Sequence, residues 1–413
     1  MTMAATDLLL TLNAGSSSLK FALYGLSQAL PLLAHGQVEG LGDEQRPRLH
    51  VSLADGERHT QSLAHQAGRP DHDTALDALL ALLQAQFPRR KVRAVSHRVV
   101  HGGPEFAQPV RLDAALLQAL AAFSPLAPLH QPHNLAGVRA AQAAFPAAVQ
   151  VACFDTAFHR SHPFVADTFA LPRRFYEQGV RRYGFHGLSY EYIARRLREA
   201  DPLRAQGRVV VAHLGNGASM CALLNGRSVA STMGFTALDG LPMGTRCGQL
   251  DPGVLLYLMS EQGMSAAEIS ELLYTNAGLK GLSGESHDVR VLEASGSAAA
   301  REALAYFVDR ARRELAGMTS CLGGLDALVL TGGIGENAVG VRAALLHDLA
   351  WMGIHLDPEA NRDNAAVISS PGSPVCVRVM PTDEERMLAE HALELLVGNA
   401  ASTPPPELTC SLD

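Results

Sequence analysis

Apolar positions along the chain fall into two recurring patterns. Short apolar runs bounded by small or polar residues predict buried strands at 8–12, 21–24, 32–39, 92–100, 149–154, 209–213, 221–224, 326–331 and 375–380. Residues 49–53 and 59–63 flank an Ala-Asp-Gly turn and predict a hairpin. Helical spacing appears where Leu76, Leu79, Leu80 and Leu83 fall at i, i+3, i+4 and i+7, which predicts a helix over 72–87. The same reasoning predicts helices at 111–123, up to about 145, and at 189–199, 253–262, 265–274, 298–321, 338–349 and 385–397. Three prolines within 124–134 argue against regular structure there, and 155–187 reads as irregular. The last stretch, 400–413, carries three consecutive prolines and is expected to be disordered.

The pattern also repeats. Residues 8–25 set over 209–226 match without a gap: a five-residue strand, a turn of small residues, a second strand, then Tyr-Gly or Asn-Gly. More loosely, 92–103 and 325–335 are both strands delivering a Gly-Gly turn. This predicts an internally duplicated α/β protein. A chain of 413 residues exceeds one usual core, so two domains are expected.

Composition narrows the function classes. Thirty-four basic and 41 acidic residues give a net charge of −7, with no run of like charges, which argues against a nucleic-acid footprint or a polybasic membrane patch. The six cysteines are scattered, without Cys-x-x-Cys or zinc-site spacing, so a reducing compartment is expected. The first apolar run ends within five residues and lacks a preceding basic segment, unlike a signal peptide or membrane span. A cytoplasmic protein is the expectation.

Candidate chemistry gathers where strands end. Asn13–Ser18, Gly102–Gly103, Gly215–Ser219, Gly332–Asn337 and Thr382–Glu385 each follow an apolar strand, and open α/β sheets bind ligands at such ends. The first turn reads either as a hairpin with a solvated Lys20 or as an anion-binding nest of backbone N–H groups and hydroxyls, with Lys20 as a point charge. It is not a Walker A loop. Arg98 and Arg246 lie near glycine turns, and a guanidinium fork fits a carboxylate or a phosphate; taken singly, each also reads as a surface arginine. Asp155 follows a strand directly, fitting a catalytic or metal-linked aspartate as well as a helix N-cap. His186 lies in Tyr-Gly-Phe-His-Gly (183–187), a rigid setting for either a functional or a structural imidazole. Glu384 either helps hold Mg²⁺ or, with Asp383, favours the start of the following helix.

In order, these motifs resemble the acetokinase family, within the sugar kinase, Hsp70 and actin superfamily. The resemblance runs from Asn-Ala-Gly-Ser-Ser-Ser-Leu-Lys (13–20) through Ser-His-Arg-Val-Val-His-Gly-Gly, Ala-Pro-Leu-His, Phe-Asp-Thr-Ala-Phe-His, Arg-Tyr-Gly-Phe-His-Gly, His-Leu-Gly-Asn-Gly-Ala-Ser, Met-Gly-Thr-Arg and Thr-Gly-Gly-Ile-Gly-Glu-Asn to Pro-Thr-Asp-Glu-Glu (381–385). It implies two duplicated α/β domains with a ribonuclease H-like core and an active-site cleft between them. The lobes would be 1–155, completed by a helix at about 386–399, and 156–385, carrying the nucleotide site and a dimer interface. The implied reaction is reversible, in-line, Mg²⁺-dependent transfer of the ATP γ-phosphoryl group to acetate, with Mn²⁺ as a possible substitute, by a homodimer.

By the same resemblance, Asp155, His186 and Arg246 are catalytic, and Arg98, Val100, Leu129, His130 and Phe185 bind the carboxylate substrate. Lys20, Ser16, Ser18, His213, Leu214, Gly215, Asn216, Gly217, Asp288, Val289, Arg290, Gly333, Ile334, Gly335, Glu336 and Asn337 form the nucleotide site, and Asn13 and Glu384 the Mg²⁺ site. The intact Gly-Gly-Ile-Gly-Glu turn resembles ATP-using rather than pyrophosphate-using members. Family members often assign Asp155 an acid/base role. Acetate is already an anion at pH 7 and needs no base, so an orienting role toward Arg or Mg²⁺ is the expectation here.

Three positions depart from the family pattern: Gln131 where Asn is common, Gln249 where Asp is usual, and Ala237 where a proline commonly lines the acyl pocket. Propionate or butyrate is therefore an alternative acceptor. A non-kinase ATPase of the actin/Hsp70 kind is the alternative from another class, but it would have no use for the arginine pair and His186.

Overall fold

The computed structural model describes residues 7–15, 18–41, 47–63, 72–128 and 130–398. The tail at 400–413 lies outside them, as do Ser16 and Leu129. Two mixed sheets organise the molecule. The first contains β1 (Asp7–Ala14), β2 (Ser18–Gly25), β3 (Leu32–Glu39), β4 (Arg48–Leu53), β5 (Arg58–Ser62), β6 (Lys91–Val99), β7 (Val110–Arg111) and β8 (Val149–Phe154) in the order β5-β4-β3-β2-β1-β6-β8-β7. The second contains β9 (Arg208–Leu214), β10 (Ala218–Leu224), β11 (Arg227–Ser231), β12 (Ala327–Thr331) and β13 (Cys376–Val379) in the order β11-β10-β9-β12-β13.

The duplication is plain in the pairing. β1 pairs antiparallel with β2 and parallel with β6, which pairs parallel with β8. β9 pairs antiparallel with β10 and parallel with β12, which pairs parallel with β13. β3-β2-β1-β6-β8 and β11-β10-β9-β12-β13 are thus one arrangement built twice, the duplicated α/β fold expected from the sequence.

Parallel strands need cover on both faces, and the helices supply it. α1 (His72–Gln86) and α2 (Gln131–Ala144) lie on one face of the first sheet, where Leu8, Leu10 and Leu12 join Leu76 and Leu79 in one core. α3 (Gly187–Ala200) covers one face of the second sheet, with Ile193 and Leu197 against Val209 and Val211. α4 (Pro252–Ser260) and α5 (Ala266–Thr275) form a peripheral helical pair. α6 (Ala298–Leu322) covers the other face of the second sheet, with Phe307, Ala311 and Leu315 against Val210 and Ala212. α7 (Glu384–Gly398) returns to the first sheet, packing Met387, Leu388 and Ala392 against Leu9, Ala22 and Tyr24.

Two expectations give way. Pro132 does not keep 124–134 irregular, because it occupies the first turn of α2, where a missing N–H costs nothing; Pro125 likewise sits at the start of a 3₁₀ turn, Ser124–Leu126. Within 155–187 there are two short helices, Phe164–Asp167 and Arg173–Glu177, too brief to leave a periodic signal. No helix among the described residues is long and apolar enough to cross a membrane.

α3 and α7 lie side by side and are joined by charge. Arg195 reaches Glu191 at 2.8 Å and Glu394 at 2.6 Å, Arg196 reaches Glu390 at 2.9 Å, and His391 Nε2 lies 3.0 Å from Glu191. Because α3 begins just after His186 and α7 begins at Glu384, this contact also sets the distance between two site residues. Leu388→Ala is expected to lower the unfolding free energy by about 2–5 kcal/mol, the usual cost of emptying a closed core position, read from urea unfolding. An unchanged midpoint would mean that α7 adds nothing to the core under the first sheet.

Candidate active site

Of the five turns predicted to converge, four bring residues together from three directions, whereas Gly102–Gly103 packs against Phe154, Phe106 and Phe123. At the end of β1, Asn13 pairs with Lys20 across the hairpin, and the Gly15 N–H closes the loop on Ser18 O at 2.8 Å. At the end of β9, the Gly215 N–H closes on Gly217 O at 3.1 Å, so residues 215–217 form the equivalent turn. Gly332–Asn337, a six-residue helix after β12, comes close to it: a Cβ on Gly215 would lie 3.9 Å from the Gly333 nitrogen. A Cβ on Gly217 would lie 3.1 Å from His186 Nε2 and 3.8 Å from Arg246 Nη1. Glycine there keeps open the space that these two side chains face.

Charge is concentrated at Arg98, on β6. Its Nε and Nη2 donate to Asp155 at 3.0 and 2.6 Å, Nη1 lies 3.5 Å from Asn13 Oδ1, and Nε lies 3.7 Å from Glu384 Oε2. Burial opposes the Arg98 charge, but Asp155 and Glu384 outweigh it and hold the guanidinium firmly protonated. For Asp155 burial dominates and presses the carboxyl above its ordinary value, against the pull of Arg98. Arg246 differs: its Nη1 donates to Ala237 O at 3.3 Å, and among the described residues it has no carboxylate partner. Burial lowers its pKa, and nearby Arg98 adds to that. A half-buried guanidinium without a counter-ion is a site for an anion.

Three imidazoles face these arginines. His186 precedes α3 with φ 57°, in the left-handed region, and the next residue must be glycine because a Cβ there would meet Asp155 O at 2.2 Å. Its Nδ1 is 2.8 Å from Ser219 Oγ, which also meets the Tyr190 hydroxyl, and its ring stacks on His213 with centroids 4.3 Å apart. His213 Nδ1 meets Ser189 Oγ at 2.8 Å, and Ser189 meets Thr382 at 2.8 Å. Burial, followed by the neighbouring positive groups, holds His186 well below its ordinary pKa. His213 is held at about 4 by burial and Arg98. His130 is also held at about 4, by burial, Arg246 and Arg98. All three are neutral near pH 7.

Other predicted residues fall at different distances from this centre. Val100 and Phe185 are buried in the core cluster that also holds Met243, with Ala237 packed on it. Ser18 is half-buried beside the first turn. Asn216, Gly333 and Asn337 are exposed, whereas Leu214 and Gly335 are buried. Asp288 caps Val289–Ser295 and holds the exposed Arg290 at 2.6 Å, while Val289 is buried and Ile334 partly so against the second core. Lys20 is exposed and lines a groove of about 690 Å³ with Asp383 and Glu385, on the same face of β2 that α7 covers. Glu336 carries a structural duty: Oε1 accepts from the Gly332 N–H at 2.9 Å and the Thr382 N–H at 3.2 Å, tying together the turns after β12 and β13.

Of the hydroxyls that orient His186 and His213, sequence reasoning missed Tyr190 and Ser189 and named Ser219 and Thr382 only as ends of candidate turns. A signal for Ser219 existed, since the duplicated register sets it over Ser18. Ser189 and Tyr190 are recognisable only in space.

Among the described residues no three His, Cys, Asp or Glu side chains form a cage able to hold a metal. Mg²⁺ does not demand one, because it binds through one or two carboxylates, substrate phosphates and water. The carboxylates of Asp155 and Glu384 and the Asn13 amide oxygen, all around Arg98, are hard donors of that kind and fit it.

Comparison with known proteins follows the same line. The acetokinase family model matches residues 8–390. An acetate kinase of Methylocella silvestris is 57% identical over 95% of this chain and 99% of its own, and one of Deinococcus radiodurans is 46% identical over 94% and 98%. The crystal structure of Porphyromonas gingivalis acetate kinase is similar with a TM-score of 0.85 at 38% identity, covering 94% of this chain and 100% of that one. A propionate kinase from Francisella tularensis gives 0.87 at 34%, covering 93% and 98%.

Because His130 and His213 are held near 4 when folded but titrate near 6.5 when unfolded, the unfolded chain binds more protons between those values. Stability should therefore fall as pH drops from about 6.5 to about 4, by up to about 1.4 kcal/mol per pH unit for each such histidine. Urea midpoints measured at pH 7, 6 and 5 check this. In His213→Gln the slope should shrink.

Proposed function

The chain belongs to the acetokinase family, and from that premise we propose that it is an acetate kinase, transferring the γ-phosphoryl group of ATP reversibly to acetate. One observation carries the reading. Beside the charge-balanced Arg98 stands a second guanidinium, Arg246, without a carboxylate partner among the described residues, next to a neutral imidazole and an apolar wall. Acetate is a small anion with one methyl group, and it suits that combination. A non-kinase ATPase has no need of it.

In this reading Arg246 receives the carboxylate while Val100, His130 and Phe185 enclose the methyl group. Tyr190 donates to Ser219 and Ser219 to His186 Nδ1, which leaves the ring proton on Nε2, facing Gly217 and the phosphoryl group in flight. Backbone N–H groups of the 215–217 turn beyond Gly215 meet the phosphates, and the rim of Asn216, Gly333, Asn337, Asp288 and Arg290 meets the nucleoside. Asn13 and Glu384 would hold Mg²⁺ beside the phosphates, where it would supply charge neutralisation. No residue is required as a base, because the attacking oxygen is already ionised; positioning and fixed charge supply the rate. Both Asp155 oxygens accept from Arg98, which supports an orienting role for that carboxylate.

A second acceptor is favoured by one residue. Ala237 borders the apolar cluster that contains Val100 and Phe185 and presents its carbonyl to Arg246. A methyl group there leaves more room than a proline ring, which supports some use of propionate.

We also propose a homodimer. α4 buries none of its residues, yet Val254, Leu256, Tyr257 and Met259 on it are exposed apolar side chains, with Leu250 and Leu282 adding to the list. An apolar helix left open in this way asks for cover.

Acyl hydroxamate formed from ATP, hydroxylamine and a series of acids tests the activity. Acetate should react best, and propionate within about 10–200-fold of it, the value of one methylene. No product with acetate, propionate or butyrate would end the proposal. Asp155→Asn should keep activity at raised Mg²⁺, whereas total loss at saturating Mg²⁺ would restore an acid/base role. Light scattering should find a dimer that Leu256→Glu combined with Tyr257→Glu converts to monomer.

A further inference from the structure

The strand β6 ends at Val99, and the next four backbone N–H groups have no ladder partner. Each is taken by a side chain instead. Val100 N–H donates to Asn134 Oδ1 at 2.9 Å, His101 N–H to Gln131 Oε1 at 3.1 Å, Gly102 N–H to Thr156 Oγ1 at 3.1 Å, and Gly103 N–H to His101 Nδ1 at 2.9 Å. Gln131 Nε2 also donates back to His101 O at 3.0 Å and to Leu120 O at 3.1 Å. Buried backbone groups must find partners, so this accounts for the polar first turn of α2.

Asn134 does one thing more than the others. While its oxygen holds the Val100 N–H, its Nδ2 donates to Ala14 O at 2.6 Å, at the start of the β1–β2 turn. The residue is 3% exposed, so both bonds lie away from bulk solvent. α2 also lies close to that turn, since a Cβ on Gly137 would meet the Ala14 Cβ at 2.6 Å. One amide therefore spans two segments 86 residues apart in the chain, the wall of the acyl pocket and the turn beside Asn13.

We propose that Asn134 is a positioning residue that fixes the distance between the acyl pocket and the phosphate-facing turn of the first sheet. The inference rests on the kinase reading above. In-line transfer needs acceptor oxygen and phosphorus held near contact, and misplacement by about 1 Å can cost about a hundredfold in rate. An amide with one bond to each segment ties them together, whereas Gln131 bonds only to His101 and Leu120 and sets no such distance.

Three variants test it: Asn134→Asp, which keeps an acceptor for Val100 but loses the donor to Ala14; Asn134→Ala, which loses both; and Gln131→Ala as the comparison. Acyl hydroxamate formation by the parent enzyme comes first, because a parent without activity overturns the kinase reading rather than this one. With kcat expressed per folded molecule, Asn134→Asp and Asn134→Ala should each lose about tenfold to a hundredfold in kcat, with KM for acetate and for ATP within about threefold of the parent. Gln131→Ala should lose stability but keep kcat within about threefold. Thermal unfolding of each variant supplies the folded fraction. The proposal is overturned if the Asn134 variants keep kcat within about threefold, if a rise in KM accounts for the loss, or if Gln131→Ala loses as much kcat as they do.

Discussion

Two guanidinium groups share one cleft, and only one of them is balanced. Arg98 is tied to Asp155 through both of its oxygens and has Glu384 nearby, so its charge is settled within the protein. Among the described residues, Arg246 donates only to a carbonyl and a thioether. Burial first keeps His130, His186 and His213 neutral, and Arg98 adds to it at all three, with Arg246 acting on His130 and His186 as well. A reaction between two anions is one that fixed positive charge of this kind assists.

The fold exists twice, and the duplication puts the charge where it is needed. Each sheet delivers a hairpin turn from its central strand and a second turn from the parallel neighbour. Arg98 and Asp155 come from the ends of β6 and β8 in one sheet, and the glycine turns from β9 and β12 in the other. The two sets meet because α3 and α7, each seated on a different sheet, are clasped by Arg195, Arg196 and their glutamates. Gly187 adds a direct tie, its N–H donating to Asp155 O at 2.9 Å. Packing far from the cleft thereby bears on the geometry inside it.

Much of this could be read from the chain. The strands Leu8–Leu12 and Val209–His213 stand out because both faces are buried, so nearly every residue is apolar. Their turns stand out because close approach to phosphate requires small residues. Helix ends and short helices were less legible: Pro132 looks like an interruption until its place in the first turn of α2 is known, and Phe164–Asp167 is too short for periodicity. Among site residues, arginine, histidine and aspartate near glycine are visible in one dimension. Ser189 and Tyr190 are not, since each acts only through a partner distant in sequence.

By itself, then, the sequence determined every strand but the edge strands β7 and β11, that the unit is duplicated, and which charged side chains stand at strand ends. Local apolar spacing and the small residues of turns encode these things directly. Tertiary structure alone decided that Arg98 is neutralised while Arg246 is not, that Glu336 spends its carboxylate on two backbone N–H groups, and that Asn134 bridges Val100 and Ala14. Each of these depends on which partner lies within hydrogen-bond distance once both sheets are packed. Such distances belong to the folded chain and have no counterpart in its spacing.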